Sequence, residues 1–328
     1  MRLPDLLATL RSAAGIVDKR DIQVAGRTLP WSVSGPWGDA RVRLGDDCAA
    51  IPDGDGYLLL AAEGMWPELV ASEPWFAGFC SVLVNASDVY AMGGRPLAVV
   101  DALWSAAPAH ADRMLEGMRA ASDQLGVPVV GGHTNLHSPH PALAVAILGR
   151  ARALLTSFDA RPGDDLVVAF DLRGRMHPVH PFWNATRGAP PARLRADYEV
   201  LPWIAERGLC RAAKDVSMGG VLGSVLMLLE ASGVGAAIDP ERIPRPPEVD
   251  DARWLLAFPS YGFVLAVPPA QRDQVLAAFA ARDLAAAAIG TVEAGHTLSL
   301  SSNGERATLW DLSREGLTRL AAGEVRDA

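Results

Sequence analysis

Acids set beside glycine carry the clearest chemistry in this chain, and they gather between Arg43 and Pro96. The stretch opens as RLGDDCAAIP, with Gly45, Asp46 and Asp47 in a row. It runs through the apolar YLLLAAEGM to Glu63 and continues as PWFAGFCSVLVNASDVYAMGGRP, which holds Asn85 and Asp88. An isolated buried carboxylate is very costly, so acids at the ends of apolar strands or inside a buried helix need donors or a cation. A divalent metal carrying phosphates would supply that charge. Magnesium usually rests on one or two carboxylates plus substrate phosphates, and a glycine before two acids lets the backbone approach such a phosphate. The same triplet also occurs in ordinary turns.

Asn85 and Asp88 lie three residues apart and share one helix face among Val82, Val84, Val89 and Met92. The segment VVGGHTN sets Gly131, Gly132, His133 and Thr134 at the end of a strand, where glycine loops gather ligands in open α/β architecture. His133 reads as a base or acceptor-orienting group, or as a plain strand cap. A competing chemistry is zinc, because His133, His137, His140, His177 and His180 fall close in sequence. Zinc needs ligands that converge tetrahedrally. Pro139, Pro141, Pro178 and Pro181 break any helix that would aim those rings together, and no HExxH is present.

The elements that must position these groups become legible from Val42 onward. Residues 47–52 and 57–63 read as strands, and residues 74–92 as a helix with Pro74 in its first turn and Gly93-Gly94 as its stop. LAVVDALW is a strand ending near Asp101. A helix stopped by Gly126 and the strands VPVVGG and ALAVAILGRA follow. The shift at LLTSFDARPGDD marks a boundary, giving domains at 1–152 and 153–328. The second half mixes strands and helices again, with AAKDVSMGG opening the apolar helix VLGSVLMLLEASG. Both halves are α/β in character, and no fixed-period repeat is present.

Residues 1–40 read as an amphipathic helix built on Leu3, Leu6, Leu7 and Leu10, followed by a Gly-, Pro- and Trp-rich segment that is either a plain connector or a flexible flap over a site. Lys19 in that flap is the best-placed basic residue to reach a phosphate. The net charge of −8 and pI near 5.4 argue against nucleic acid and acidic membrane surfaces as partners. No apolar stretch reaches the ~18 residues a membrane span needs. Three cysteines, outside any CxxC pair, fit a reducing cytoplasm.

GDDCAAI, LLLAAEGM, VNASDVYAMGGRPLAVV, VVGGHT, RPGDDLVV and AAKDVSMGGVLGSVLMLLEASGVGA occur in the order and spacing of the aminoimidazole-ribonucleotide (AIR) synthase superfamily. Its members include thiamine-monophosphate kinase, selenophosphate synthetase, HypE and formylglycinamidine-ribonucleotide synthase. The resemblance, from about Arg43 to Ser301, implies a PurM-like two-domain fold. Its N-terminal sheet would pair with that of a second subunit into a barrel, making a homodimer. It implies ATP and Mg2+ as cofactors and an enzyme that phosphorylates or activates a small-molecule acceptor, leaving ADP or AMP. Asp46, Asp47 and Asp88 match the family's acids, with Glu63 beside them as a candidate metal ligand, and Asp215 matches the C-domain acid near the nucleotide.

The departures bear on substrate. Ala61, Ala62 and Glu63 stand where kinase and synthase members usually have Thr-Thr-Asp, and GGHT replaces GGDT. The Cys- or Sec-containing motif of selenophosphate synthetase and the C-terminal cysteine of HypE are missing. A catalytically silent, nucleotide-binding scaffold of the same superfamily is therefore the alternative reading, and the acceptor is unassigned.

Overall fold

The computed structural model describes residues 3–302 and 304–320. By packing, these residues fall into two units. One is made of Cys48–Ala153 and Ala189–Trp203, and the other of the chain up to Asp47, Leu154–Gly188 and the chain from Ile204 onward.

The first unit is built on a five-stranded sheet in the order Ala49–Asp53, Gly56–Gly64, Ala142–Ala151, Arg95–Trp104, Val129–Asn135. Neighbours are antiparallel except the last pair, which is parallel. Alternation decides the faces. Leu59, Val99, Leu103, Leu143, Val145 and Ile147 are buried on one side, while Leu60, Val100 and Leu148 on the other remain 47%, 43% and 37% exposed. On the buried side lie the helices Pro74–Ala91 and Pro108–Leu125, which pack closely on each other. Glycines permit that approach: a Cβ on Gly78 would fall 2.0 Å from the Met114 carbonyl oxygen, and one on Gly117 would fall 1.9 Å from that of Trp75. The helix Pro191–Tyr198 joins this unit through stacked Tyr90 and Tyr198 rings and an Arg95–Glu199 ion pair.

The second unit carries a seven-stranded sheet in the order Ala212–Asp215, Gly262–Val267, Asp165–Phe170, Ala285–Glu293, Gly235–Ile238, Thr297–Ser302, Glu305–Asp311. The helix Gly220–Ser232 is apolar on nearly every face and correspondingly buried. One boundary near residue 152 is expected from the sequence, yet the N-terminal helix packs with this later unit. The reason is its leucine stripe: Leu3, Leu6, Leu7, Leu10 and Ile16 share a core with Leu222, Val225, Leu229 and Leu309. Arg11 fastens the helix by donating to the carbonyls of Leu309 (2.8 Å) and Thr308 (2.7 Å).

Glu230, in the last turn of the apolar helix, is a buried acid with a task. Its carboxylate accepts from the backbone N–H groups of Leu317 (2.7 Å) and Thr318 (2.6 Å) and from the Thr318 hydroxyl (2.6 Å), anchoring the 317–319 turn. Among the described residues no helix is long and apolar enough to cross a membrane.

Candidate functional site

The two acids of the GDD loop lie in the second unit, and each meets a different partner. Gly45 has φ of +105°, a conformation glycine adopts without strain, and a Cβ there would also press on Leu320 at 2.9 Å. That bend turns Asp46 toward residues 157–159. The Asp46 carboxylate accepts from the Ser157 N–H (3.0 and 3.1 Å), the Ser157 hydroxyl (2.8 Å) and the Asp47 N–H (3.0 Å). Ser157 is itself held by its carbonyl, which accepts from the Ser232 hydroxyl at 2.7 Å. Beside it, the Arg43 guanidinium lies over the Phe158 ring at 4.0 Å and 3.9 Å from Asp159, so loop and strand entrance are locked together.

Asp47 points instead at the strand Ala212–Asp215. Its carboxylate forms an ion pair with the Lys214 ammonium and accepts from the Asp215 N–H at 3.3 Å. Both side chains are enclosed, 2% exposed for Asp47 and 5% for Lys214. The Asp215 carboxylate is 3.9 Å from the same ammonium. Burial lowers the Lys214 pKa, but Asp47 first, then Asp215 and Asp46, more than offset this and hold it above the ordinary lysine value. Asp46 moves the other way for an acid. Burial, then the charge of Asp47, raise its carboxyl to about 6 against the pull of Lys214 and the Ser157 donors.

After Asp215 the chain turns through Val216–Gly219 into the helix Gly220–Ser232. Gly220 sits at φ +66°, and a Cβ there would fall 2.1 Å from the Leu255 carbonyl oxygen. The Ser217 N–H donates to the Ser224 hydroxyl (3.0 Å), while the Ser217 hydroxyl is buried with no hydrogen-bond partner among the described residues. An N-terminus of this kind, with its partial positive charge, suits an anion. Lys19, also of this unit, lies half-buried in the 3-10 turn Asp18–Ile22.

The remaining sequence-predicted residues belong to the other unit. Asn85 and Asp88 lie on the buried helix Pro74–Ala91. The Asn85 amide donates to the Ser81 carbonyl at 2.8 Å, and its Oδ1 is enclosed with no hydrogen-bond partner among the described residues. Glu63 is exposed at the end of the strand Gly56–Gly64. Gly131, Gly132, His133 and Thr134 form an exposed edge strand rather than a loop at a strand end. Register pairs His133 with Ala102, on the outward face of the sheet and away from the helices that bury Asn85 and Asp88. Gly132 makes room for Asp101, since a Cβ there would lie 2.1 Å from the Asp101 Oδ1. A carboxylate at that position disfavours the phosphate-cradling expectation for the glycine pair. Burial raises the Asp101 pKa.

The five histidines of the zinc expectation do not gather into one site. Among the described residues no three of His133, His137, His140, His177 and His180 bring ligand atoms together. The first three lie in one unit and the last two in the other. His177 and His180 are a stacked pair, with His177 Nδ1 accepting backbone N–H groups at 3.1 and 3.3 Å.

The two acids of the GDD loop part company, Asp46 turning to Ser157 and Asp47 to Lys214 and the Asp215 N–H. Ser157 occupies both oxygens of Asp46, and the cation facing Asp47 is the Lys214 ammonium. Sequence reasoning missed both groups. Lys214 carried a signal, being one of only two lysines in the chain and adjacent to Asp215. Ser157 carried none beyond its place in a turn-rich segment.

Residues 45–151 match the family model described as AIR synthase related protein, N-terminal domain, and residues 182–303 match its C-terminal domain. An uncharacterised protein of Synechocystis sp. is 52% identical over 317 residues, covering 96% of this chain and 98% of its own length. A selenide, water dikinase of Yersinia pestis is 28% identical over 233 residues, 65% of each chain, so the match spans about two thirds of that enzyme. The structure of T. maritima PurL complexed with ATP superposes with a TM-score of 0.70 at 21% identity, covering 85% of this chain and 47% of that one.

Proposed function

This chain belongs to the AIR synthase related family, and on that premise we propose that it binds ATP and uses it to phosphorylate or activate a small-molecule acceptor. The observation that carries the reading is the meeting of two motifs 167 residues apart: Asp47 of the GDD loop is joined to Lys214 and to the Asp215 N–H. Beside that junction stands the N-terminus of the helix Gly220–Ser232, with the Ser217 hydroxyl still lacking a partner among the described residues. Cations and backbone N–H groups facing one place are what phosphoryl transfer requires, because the protein's task is to position the phosphates and offset their charge. The relatives named for ATP-dependent chemistry, the dikinase and PurL with bound ATP, support this reading.

In this reading Asp215, Ser217 and Lys19 are the groups of their unit nearest in character to a phosphate or its counter-ion, and Asn85 and Asp88 are the corresponding candidates of the other. His133 is the proposed acceptor-orienting group on the outward sheet face. Magnesium would enter with the nucleotide, with Asp46, Asp47 and Asp215 the proposed acids to hold it in their unit and Glu63 and Asp88 those of the other. The acceptor is a small molecule, the product ADP or AMP, and the compartment the cytoplasm, in keeping with three free cysteines.

Calorimetric titration of ATP in the presence of Mg2+ tests the proposal. Each unit's candidates are tested by themselves, Asp215→Asn and Ser217→Ala for one, Asp88→Asn for the other. Binding to the wild type that weakens in Asp215→Asn supports the site. ATP binding unchanged in all three variants defeats it. The silent-scaffold reading draws on Asp46, whose two oxygens are both taken by Ser157. An assay for ADP and AMP against a panel of metabolites separates the two, since tight binding without turnover favours the scaffold.

A further inference from the structure

We infer that Glu230 is a positioning residue of the acidic loop: through the turn 317–320 it holds Gly45 and the segment that carries Lys19 where a nucleotide's phosphates would meet them. The inference deepens the ATP reading and rests on it for its functional meaning. Glu230 is buried in the last turn of the helix Gly220–Ser232. A buried carboxylate needs donors, and the backbone of the turn supplies them. The N–H groups of Leu317 (2.7 Å), Thr318 (2.6 Å) and Arg319 (3.3 Å) converge on it, with the Thr318 hydroxyl at 2.6 Å. Successive N–H groups of this kind form a concave anion seat, and Arg319 at φ +56° supplies its left-handed corner. Here the anion belongs to the chain itself, so the helix sets the turn.

What the turn touches gives the residue its role. The Leu320 side chain lies against two glycines: a Cβ on Gly26 would fall 2.9 Å from its Cδ2, and one on Gly45 would fall 2.9 Å from its Cβ. One side chain thus seats both the segment after Lys19 and the bend that aims Asp46 and Asp47. Gln23 adds a second tie, its amide donating to the carbonyls of Gly316 (3.1 Å) and Leu317 (2.9 Å). Arg20, next to Lys19, pairs with Glu315 and lies over the Trp310 ring at 5.3 Å. An exposed pair of that kind contributes little, so the glycine contacts and the Gln23 amide carry the connection. The same helix turn reaches the loop from its other side, since the Ser232 hydroxyl donates to the Ser157 carbonyl and Ser157 donates to Asp46. Glu230 and Ser232 therefore brace the GDD loop at Gly45 and at Asp46.

Limited trypsin digestion without nucleotide, mapped by mass spectrometry, tests the brace at Lys19, Arg20 and Arg27, with exposed Arg207 of the same unit as the reference site. Glu230→Gln sets an amide NH2 against backbone N–H groups. Leu320→Ala removes the contact with both glycines and leaves Glu230 and its donors in place. Each is expected to raise cleavage at Lys19, Arg20 and Arg27 relative to Arg207 by at least about fivefold, because cleavage follows the population of the opened segment. Thr318→Ala is expected to move in the same direction, and Thr318→Ser, which keeps the hydroxyl, to match wild type. No rise in Leu320→Ala, or a rise shared equally by Arg207, overturns the inference. Should Glu230→Gln fail to fold, Leu320→Ala and the two Thr318 variants decide. In calorimetry with Mg2+ and ATP, Leu320→Ala is expected to bind at least about fivefold more weakly than wild type, and equal affinity would deny Glu230 its positioning role. A wild type that does not bind ATP defeats the ATP reading, and the digestion, which uses no nucleotide, then decides the brace by itself.

Discussion

Asp46 and Lys214 show how one enclosed loop pulls two charged groups in a common direction, toward holding their protons. For Asp46 the consequence is a pH dependence with a definite sign. Its carboxyl is raised from 3.8 to about 6, chiefly by burial and then by Asp47. A carboxyl raised in the folded state stabilises fully below its unfolded pKa and loses that contribution as pH rises through the folded value. The window is therefore from about pH 4 to about pH 6. Unfolding midpoints of wild type and Asp46→Asn, compared at the two ends, are expected to differ by an amount that shifts in favour of the Asn variant at the higher pH. A difference that stays flat contradicts the enclosure of this acid. The acids themselves were legible in the sequence, since GDD and KDVSMGG declare carboxylates beside glycine. Their partners were not, because Ser157 lies 111 residues from Asp46 and Lys214 lies 167 from Asp47, and no local pattern encodes a pairing over such distances.

Among the elements, the helix Pro74–Ala91 was readable almost to its ends from its proline start and glycine stop, but its seating was not. That seating depends on glycines that a periodicity argument treats as gaps. Alanine at Gly117 would ordinarily gain up to about 1 kcal/mol of helix propensity. Here the added Cβ would stand 1.9 Å from the Trp75 carbonyl oxygen and 2.8 Å from the Phe79 nitrogen, both backbone atoms with no rotamer to retreat into. Overpacking typically costs about 1 to 3 kcal/mol, so the clash wins over propensity. Gly117→Ala is expected to lower the melting temperature by several degrees in calorimetry, and an unchanged or higher value would refute the close helix contact. The edge strand Val129–Asn135 teaches the complementary lesson. Two glycines erase the alternation that would reveal a face, so only the pairing of His133 with Ala102 shows that the histidine points outward.

For the whole molecule, the α/β character and the family were legible because six motifs keep their order. The assignment of residues 3–47 to the later unit was not, since a leucine stripe announces a buried face without saying which core receives it. What sequence periodicity also leaves open is the second face of the five-stranded sheet. Leu60, Val100 and Leu148 stand 47%, 43% and 37% exposed there, flanked by the small side chains of Ala62, Ala98 and Ala146. Large exposed apolar patches on soluble proteins commonly serve as interaction surfaces. We propose that a second copy of this chain covers it, as the family resemblance implies. Light scattering coupled to size exclusion is expected to find a dimer for the wild type and a monomer for Val100→Lys/Leu148→Lys. Circular dichroism should be unchanged, because both side chains already face solvent within one protomer. A wild type that elutes as a monomer, or a doubly charged variant that remains dimeric, would remove this face from consideration and leave the exposed edge strand Val129–Asn135 as the next surface to test.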